Sequence, residues 1–88
     1  MKIRRHKQFL KDFKKNMITD GQFEKFIQFI NSLREDAQLP ESSKDHALSG
    51  QYLGCREFHL GGDVLVIYLV MNKEVTLMRL GSHAQLFE

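Results

Sequence analysis

The segment VLVIYLVMNKEVTLMRL (residues 64–80) decides how this chain folds. Val64–Val70 is hydrophobic at every position, which is typical of a central β-strand whose two faces are both covered. Glu74–Leu80 instead alternates polar and apolar residues, as a strand with one solvated face does. The pair Asn72-Lys73 suits a two-residue hairpin turn. We therefore expect Val64–Met71 and Glu74–Leu80 to form an antiparallel hairpin.

A third strand is expected immediately before this hairpin. Gln51–Leu60 is rich in hydrophobic and aromatic residues, and Gly61-Gly62 is a second candidate for a two-residue turn. Turns of that length would fix the register of a three-stranded meander and set Glu57 level with Arg79. His59 and Arg79 would then share one face of the sheet, roughly 10–12 Å apart at their Cα atoms.

This register sorts the strand residues into two faces. The face expected to receive the helices holds Phe58, Leu60, Leu65, Ile67, Leu69, Met78 and Leu80. The opposite face holds Cys55, Glu57, His59, Val64, Val66, Tyr68, Leu77 and Arg79. Arg56 falls on the helix-facing side, so either its side chain extends past the sheet edge or one hairpin loop is longer than two residues.

The N-terminal half has the 3.6-residue period of amphipathic helices. Apolar residues recur at three- and four-residue steps from about Lys7 to Thr19, and again from Phe23 to Leu33. Asp20-Gly21 is expected to separate the two helices, Lys2–Arg5 to form at most a short strand, and residues 36–50 to form a loop. The pattern predicts an α+β fold with two helices packed on one face of an antiparallel β-meander.

The 88 residues are enough for one domain, residues 1–88, with a net charge of +2. Residues 1–15 carry seven Lys or Arg against one Asp, a net charge of +6. The lysines of the predicted first helix are Lys7, Lys11, Lys14 and Lys15. This cluster suits a polyanion, although a solvated helix face gives the same pattern. No apolar run approaches the ~18 residues of a membrane span, and the single cysteine agrees with a cytoplasmic location.

Polar residues of the meander and the tail form a candidate chemical centre. His59 and Arg79 share a face, and Gly81 allows the chain to turn and bring His83 over it. An imidazole exchanges protons near neutral pH, because its ordinary pKa is about 6.5, and a guanidinium stabilises charge on phosphorus. These groups suit metal-free RNA cleavage by attack of the ribose 2′-hydroxyl.

Structural explanations of the same residues remain open at this point. His59 fits an ordinary strand residue, and Arg79 could pair with Glu57, so the residues alone leave both an enzyme and a binding module open. No metal and no other cofactor are expected. His46, His59 and His83 are far apart in sequence, and a cation such as Arg79 does not belong among metal ligands.

Two segments, KDHALSGQYLGCREFHLGGDVLVIYLV (residues 44–70) and LMRLGSHAQLF (residues 77–87), resemble the YafQ-like branch of the RelE/ParE superfamily of bacterial type II toxins. The shared pattern is Asp-His-x-Leu-x-Gly, Arg-x-x-His-x-x-x-Asp, a hydrophobic strand with Tyr, and Arg-x-Gly-x-His-x-x-Leu-Phe. An ordered series of this kind is more specific than any one element. The resemblance implies a short strand, two helices and a β-meander, and a toxin that cleaves translated mRNA in the ribosomal A site.

The resemblance also implies catalytic roles for five residues. Either His46 or His59, together with Asp63, would activate the 2′-hydroxyl. Arg79 would stabilise the transition state, and His83 would protonate the leaving 5′-oxygen.

Substrate binding and partners follow from the same resemblance. Phe87 would stack on a base, while Arg56 and the four lysines would contact RNA, the lysines being equally suited to an antitoxin. The implied partner is a DinJ-like antitoxin encoded beside the toxin, and operator DNA would be bound only through their complex. The alternative is a ParE-like or non-catalytic protein that acts by binding, through gyrase inhibition or an autoregulatory complex.

Overall fold

The computed structural model describes residues 1–87 and has the predicted α+β fold. Its elements are β1 (Lys2–Arg5), α1 (Lys7–Asn16), α2 (Asp20–Arg34), β2 (His46–Ala47), β3 (Arg56–Gly61), β4 (Val64–Met71), β5 (Glu74–Gly81) and α3 (His83–Phe87). The strands form one sheet in the order β1-β5-β4-β3-β2. β1 runs parallel to β5, and the other three pairs are antiparallel. The hydrophobic strand β4 is central, as its sequence predicts.

The boundary between the two long helices differs from the prediction. α1 ends at Asn16, and Met17 follows in a left-handed conformation with φ of 47°. Thr19 then caps α2, because its hydroxyl accepts from the Gln22 backbone and the Gln22 side chain accepts from the Thr19 backbone. This reciprocal capping box makes Asp20-Gly21 the start of α2, so the predicted break at that pair is wrong.

The predicted strand beginning at Gln51 is also wrong over its first five residues. Gly50–Tyr52 forms a 3-10 turn, and β3 begins only at Arg56. The predicted loop before it holds a second 3-10 turn at Glu41–Ser43 and the two-residue strand β2. β2 pairs with β3 and so attaches this loop to the sheet.

The first hairpin turns one residue later than predicted. Gly62 and Asp63 form the turn with positive φ angles of 58° and 62°, as a type I′ turn requires. Gly61 pairs with Val64, and a β-bulge at Leu60 absorbs the extra residue. β4 is therefore shifted by one position, which exchanges its faces. The residues predicted for the wrong face are Val64, Leu65, Val66, Ile67, Tyr68, Leu69, Leu77 and Met78.

A second bulge, at Met78 in β5, compensates for the first. Ile67 pairs with Glu57 on one side and with Arg79 on the other. Glu57 and Arg79 are therefore level across the sheet, as predicted, because the two shifts cancel.

Two apolar clusters hold the sheet in place. On one face, Phe9 of α1 and Phe29 of α2 belong to the main core together with Phe58 and Tyr68. We call the opposite sheet face, which carries Glu57, His59, Leu65 and Ile67, the histidine face. There, Leu86 of α3 packs with Cys55, Leu65 and Ile67. Within residues 1–87, no helix is long and apolar enough to cross a membrane.

Candidate active site on the histidine face

Glu57 lies between two histidines on the histidine face. β2 pairs with β3 so that His46 stands opposite Glu57, while Glu57 and His59 point the same way from alternate positions of β3. Oε2 of Glu57 lies 2.6 Å from Nε2 of His59 and 3.7 Å from Nε2 of His46. The carboxylate is buried, at 2% exposed, and no group in residues 1–87 satisfies Oε2 with hydrogen-bond geometry. A buried carboxylate oxygen without a hydrogen bond of good geometry favours a cationic group beside it.

The tautomer of His46 follows from its backbone contact. Its Nδ1 lies 2.8 Å from the carbonyl oxygen of Lys44, which can only accept, so Nδ1 is the donor. In the neutral ring Nε2 is then an acceptor directed at Glu57. The sequence predicts Glu57 only as a neighbour of Arg79. Its alternate spacing with His59 on one strand was the available signal for its role between the histidines.

His83 reaches the histidine face from the short helix α3. Ser82 caps this helix, because its hydroxyl accepts from the Gln85 backbone while its own backbone donates to the Gln85 side chain. Gly81 leaves room for this cap, because a Cβ at position 81 would stand 2.7 Å from Oε1 of Gln85 and would displace that side chain. The ring of His83 consequently lies 5.6 Å from that of His59, centroid to centroid.

Asp63 pairs with His83. Its Oδ1 is 2.7 Å from Nδ1 of His83, and this hydrogen bond holds the pKa of Asp63 below its usual value. The first hairpin turn thus brings the carboxylate of Asp63 to His83, the candidate general acid. It does not pair with His46 or His59, which are held by Glu57 instead.

Aromatic rings continue this group toward Arg79. Phe87 lies 5.9 Å from His83 and makes an edge contact of 5.4 Å with Tyr52, again between centroids. The Tyr52 hydroxyl donates to the Leu86 carbonyl and accepts from Nη1 of Arg79. The five rings form one row: His46, His59, His83, Phe87 and Tyr52.

Arg79 is held by Asp12 of α1. Nε of Arg79 lies 2.7 Å from Oδ2 of Asp12, and Nη2 lies 3.3 Å from Oδ1. Burial alone would raise the pKa of Asp12, but hydrogen bonds from Arg79, the Leu80 backbone and Gln8 outweigh burial and lower it. The same pair raises the pKa of Arg79. The Arg79–Glu57 pair considered from the sequence is therefore wrong.

Two of the four predicted lysines lie beside Arg79. Lys11 and Lys15 of α1 line a polar groove of about 380 Å³ that also contains Asp12, Asn16, Gln85 and Arg79. Lys14 lines a different groove on the other side of α1. Lys7 lies at the start of the helix and is exposed. The basic helix therefore presents two chemically distinct surfaces.

Arg56 lies away from the histidines. It pairs with Tyr68 across the sheet, and its guanidinium reaches Asp45 with Nη2 3.1 Å from Oδ2. The hydrogen bonds that Arg56 donates to Asp45 raise the pKa of Arg56. Tyr68 donates to Oδ1 of the same carboxylate at 2.5 Å, and burial raises the pKa of Tyr68. This network fastens the residue before His46 to the sheet.

The fold also assembles a possible set of metal ligands. One donor atom from each of His46, Glu57 and His59 lies within 4.8 Å of the others. Imidazole and carboxylate donors suit transition-metal ions. The expectation of no metal stays a prediction, but sequence distance no longer supports it, because the sheet brings these residues together and Arg79 points to Asp12.

A sheet of this order, with two helices on one face and a histidine cluster on the other, defines a RelE-like toxin fold. A family model described as "Bacterial toxin of type II toxin-antitoxin system, YafQ" matches residues 1–88. The chain therefore belongs to the YafQ toxin family, as the resemblance predicts.

Relatives of known name and structure agree with this membership. The mRNA interferase toxin YafQ of Escherichia coli K12 is 41% identical over 49 residues, 56% of this chain; the match spans about half (53%) of that relative's length. A metal-bound toxin from Helicobacter pylori has a TM-score of 0.85 and 33% identity, covering 99% of both chains. The Escherichia coli DinJ-YafQ toxin-antitoxin complex matches with a TM-score of 0.80 and 30% identity, over 98% of this chain and 96% of that one.

Proposed function

We propose that this protein is the toxin of a type II toxin-antitoxin system and a ribosome-dependent endoribonuclease that cleaves mRNA. The observation that carries the proposal is the pair of imidazoles, His59 and His83, 5.6 Å apart and each beside its own carboxylate. Two imidazoles at this spacing can flank one phosphate, one removing a proton and the other supplying one. The mRNA interferase YafQ relative supports the same activity.

His59 is the general base in this mechanism. It removes the proton of the ribose 2′-hydroxyl, whose oxygen attacks the adjacent phosphorus. The buried carboxylate of Glu57, 2.6 Å from Nε2 of His59, stabilises the imidazolium that forms. His46 stands behind Glu57 as a second neighbour of that carboxylate.

His83 is the general acid. Its Nδ1 donates to Asp63, which fixes the ring and leaves Nε2 to protonate the departing 5′-oxygen. The products are a 2′,3′-cyclic phosphate and a free 5′-hydroxyl. Phe87, beside His83, supplies a surface on which a base can stack.

Arg79, Lys11 and Lys15 neutralise phosphate charge along the polar groove. Arg79 is linked to α3 through Tyr52, whose hydroxyl accepts from Arg79 and donates to the Leu86 carbonyl. We assign Arg79 to the phosphate whose charge grows in the transition state. Arg56 is assigned to holding the loop before His46 rather than to RNA.

In this proposal, a metal ion takes no part in the cleavage reaction. The Helicobacter pylori relative is described as metal-bound, and His46, Glu57 and His59 supply suitable donors in this chain. An ion held there would bind Nε2 of His59 and leave the proton of the ring on Nδ1. Nδ1 is the nitrogen that the reaction needs as a base, because Nε2 faces the Glu57 carboxylate. We therefore propose that a metal ion bound at these residues would inhibit RNA cleavage.

The partner is a DinJ-like antitoxin in the cytoplasm, with operator DNA bound only by the complex. The DinJ-YafQ complex among the structural relatives supports the antitoxin as a partner.

A ribosome-programmed cleavage assay tests the function. Wild-type protein should cut the mRNA and leave a 2′,3′-cyclic phosphate, whereas a transcript with a 2′-deoxyribose before the scissile bond should stay intact. His83→Ala should lose cleavage by about 100-fold or more, the usual size of a general-acid effect. His6→Asn is the matched control, because it removes a histidine outside the cluster but keeps a side-chain cap on α1. Cleavage of the deoxy transcript, or gyrase inhibition without mRNA cleavage, contradicts the proposal.

A further inference from the structure

Tyr52 connects two parts of the candidate active site that come from different elements of the fold. Its hydroxyl accepts a hydrogen bond from Nη1 of Arg79 and donates one to the carbonyl oxygen of Leu86 in α3, each at 3.2 Å. We propose that Tyr52 is a positioning residue of the cleavage reaction, whose hydroxyl fixes the guanidinium of Arg79 relative to the imidazole of His83. The proposal rests on the proposed function, in which both groups act on one phosphate.

The backbone of Tyr52 is tied to the strands on both sides of its loop. Tyr52 ends the 3-10 turn Gly50–Tyr52, and its carbonyl accepts from the Cys55 amide, just before β3, at 2.9 Å. The Cys55 carbonyl in turn accepts from the amide of Leu48, just after β2, also at 2.9 Å. The ring is partly buried against the apolar cluster that contains Leu86. The hydroxyl is therefore presented from a fixed point beside α3.

α3 depends on contacts with the rest of the protein for its orientation. It has five residues, far fewer than the ~12–15 at which an isolated helix becomes stable in water. Its buried side chain, Leu86, packs on the histidine face. The Leu86 carbonyl is among the last four of the helix, which lack intrahelical donors, and Tyr52 supplies the donor. Because His83 begins the same helix, this bond helps to set where the imidazole points.

Arg79 is held from two directions. Asp12 accepts from Nε and Nη2 of Arg79, and Tyr52 accepts from Nη1. A guanidinium has five N–H groups, so two remain, one on each terminal nitrogen. The Arg79 side chain is 27% exposed, which lets a phosphate approach it from solvent. Asp12 thus fixes the guanidinium relative to α1, and Tyr52 fixes it relative to α3.

Tyr52→Phe isolates the contribution of the hydroxyl. The ring of Tyr52 makes an edge contact with Phe87, 5.4 Å between centroids, and phenylalanine keeps that ring. A displacement of about 1 Å in a reacting group can lower the rate about 100-fold. We expect a smaller loss, about tenfold, because Asp12 still holds Arg79 and the buried side chain of Leu86 still holds α3.

The ribosome-programmed cleavage assay with the full-length protein tests this role. Under single-turnover conditions, Tyr52→Phe should lower the maximal rate about tenfold. The toxin concentration that gives half the maximal rate should stay within about twofold of wild type, because the hydroxyl contacts protein groups rather than RNA. Ser32→Ala is the matched control: it removes another hydroxyl that donates to a backbone carbonyl, that of Gln28 in α2, and should cleave like wild type. Thermal unfolding checks that each variant is folded at the assay temperature.

Two further measurements test the link itself. Arg79→Lys keeps a cation for Asp12 but lacks the Nη1 group that bonds Tyr52. In that background Tyr52→Phe should cost clearly less than tenfold, since members of one hydrogen-bond network are not additive. The second measurement, hydrogen exchange, needs no RNA. The Leu86 amide donates to the Ser82 carbonyl at 3.1 Å, and it should exchange faster in Tyr52→Phe than in wild type or Ser32→Ala.

Four outcomes would overturn the positioning role. They are a wild-type rate for Tyr52→Phe, a change confined to the half-maximal concentration, an equal loss in the wild-type and Arg79→Lys backgrounds, and unchanged exchange of the Leu86 amide. All four are observed with a wild-type protein that cleaves mRNA. A failure of the proposed function is recognised separately, because the wild type itself would then leave the mRNA intact.

Discussion

Oδ1 of Asp63 lies 2.7 Å from Nδ1 of His83, although the two residues stand 20 positions apart, one in a hairpin turn and the other at the start of α3. The lowered pKa of Asp63 keeps its carboxyl ionised at neutral pH, so His83 is the donor. The pair fixes which imidazole nitrogen faces the substrate.

Asp63→Asn should therefore slow mRNA cleavage without unfolding the protein. An amide can turn its NH2 group toward Nδ1 and favour the other tautomer, so we expect a loss of about tenfold or more in the single-turnover rate. Asp36→Asn, at another exposed position with positive φ, is the control. Wild-type cleavage by Asp63→Asn would show that the tautomer of His83 does not limit the reaction.

Metal addition gives a second test of the site. Zn²⁺ titrated into the protein should bind at His46, Glu57 and His59 and inhibit cleavage, since it removes His59 as a base. Glu57→Gln and His46→Ala should each weaken binding in calorimetry by at least about tenfold, because each changes a proposed ligand and even a change in the outer shell of a metal site costs about that much. Pretreatment with EDTA should leave the cleavage rate unchanged. If EDTA abolished cleavage and Zn²⁺ restored it, the acid-base mechanism would be wrong.

The sequence predicts the helices and strands of this fold better than the register in which the strands pair. The hydrophobic pattern locates β4 and the second turn, because both are local properties of the chain. The bulges at Leu60 and Met78 are not visible in the pattern, since each depends on which turn and packing the strands adopt together. The bulge at Leu60 places the residues of β4 on the faces opposite to those predicted. The bulge at Met78 then brings Arg79 back level with Glu57.

The candidate site, too, is predictable from the sequence only in part. The approach of His83 to His59 is predictable, because a glycine and a short tail follow β5, which lies across the central strand β4 from the strand of His59. The partners of these groups were not predictable from local sequence. Asp12 reaches Arg79 across 67 positions and Tyr52 reaches it across 27, so only the packed fold shows both contacts. The capping boxes at Thr19 and Ser82 were local signals that the helix periodicity concealed.

Asp12→Asn should make folding stability less dependent on acid pH. The pKa of Asp12 is lower in the folded protein than its usual 3.8, so ionised Asp12 stabilises the fold above that pH, and this contribution is lost as pH falls through the folded value. At pH 7 the substitution should cost about 2–3 kcal/mol, because it leaves Arg79 without its carboxylate. The difference between wild type and variant in urea unfolding should shrink as the pH falls below 3.8 and through the lower pKa of the folded state. An equal difference at pH 7 and pH 2.5 would assign the loss to packing rather than charge.

The two sides of α1 should differ in the salt dependence of RNA binding. A lysine that contacts a phosphate of single-stranded RNA adds about 0.7 to the slope of log affinity against log salt concentration. Lys11→Ala and Lys15→Ala should therefore each reduce the slope by about 0.7, as measured by anisotropy with an RNA made uncleavable by 2′-deoxy substitution. Lys14→Ala removes the same charge from the same helix, but Lys14 lines the other groove, beside Leu10 and Phe13, so the slope of this variant should match the wild type. An equal reduction by all three variants would mean that RNA responds to the net charge of the helix and not to the groove beside Arg79.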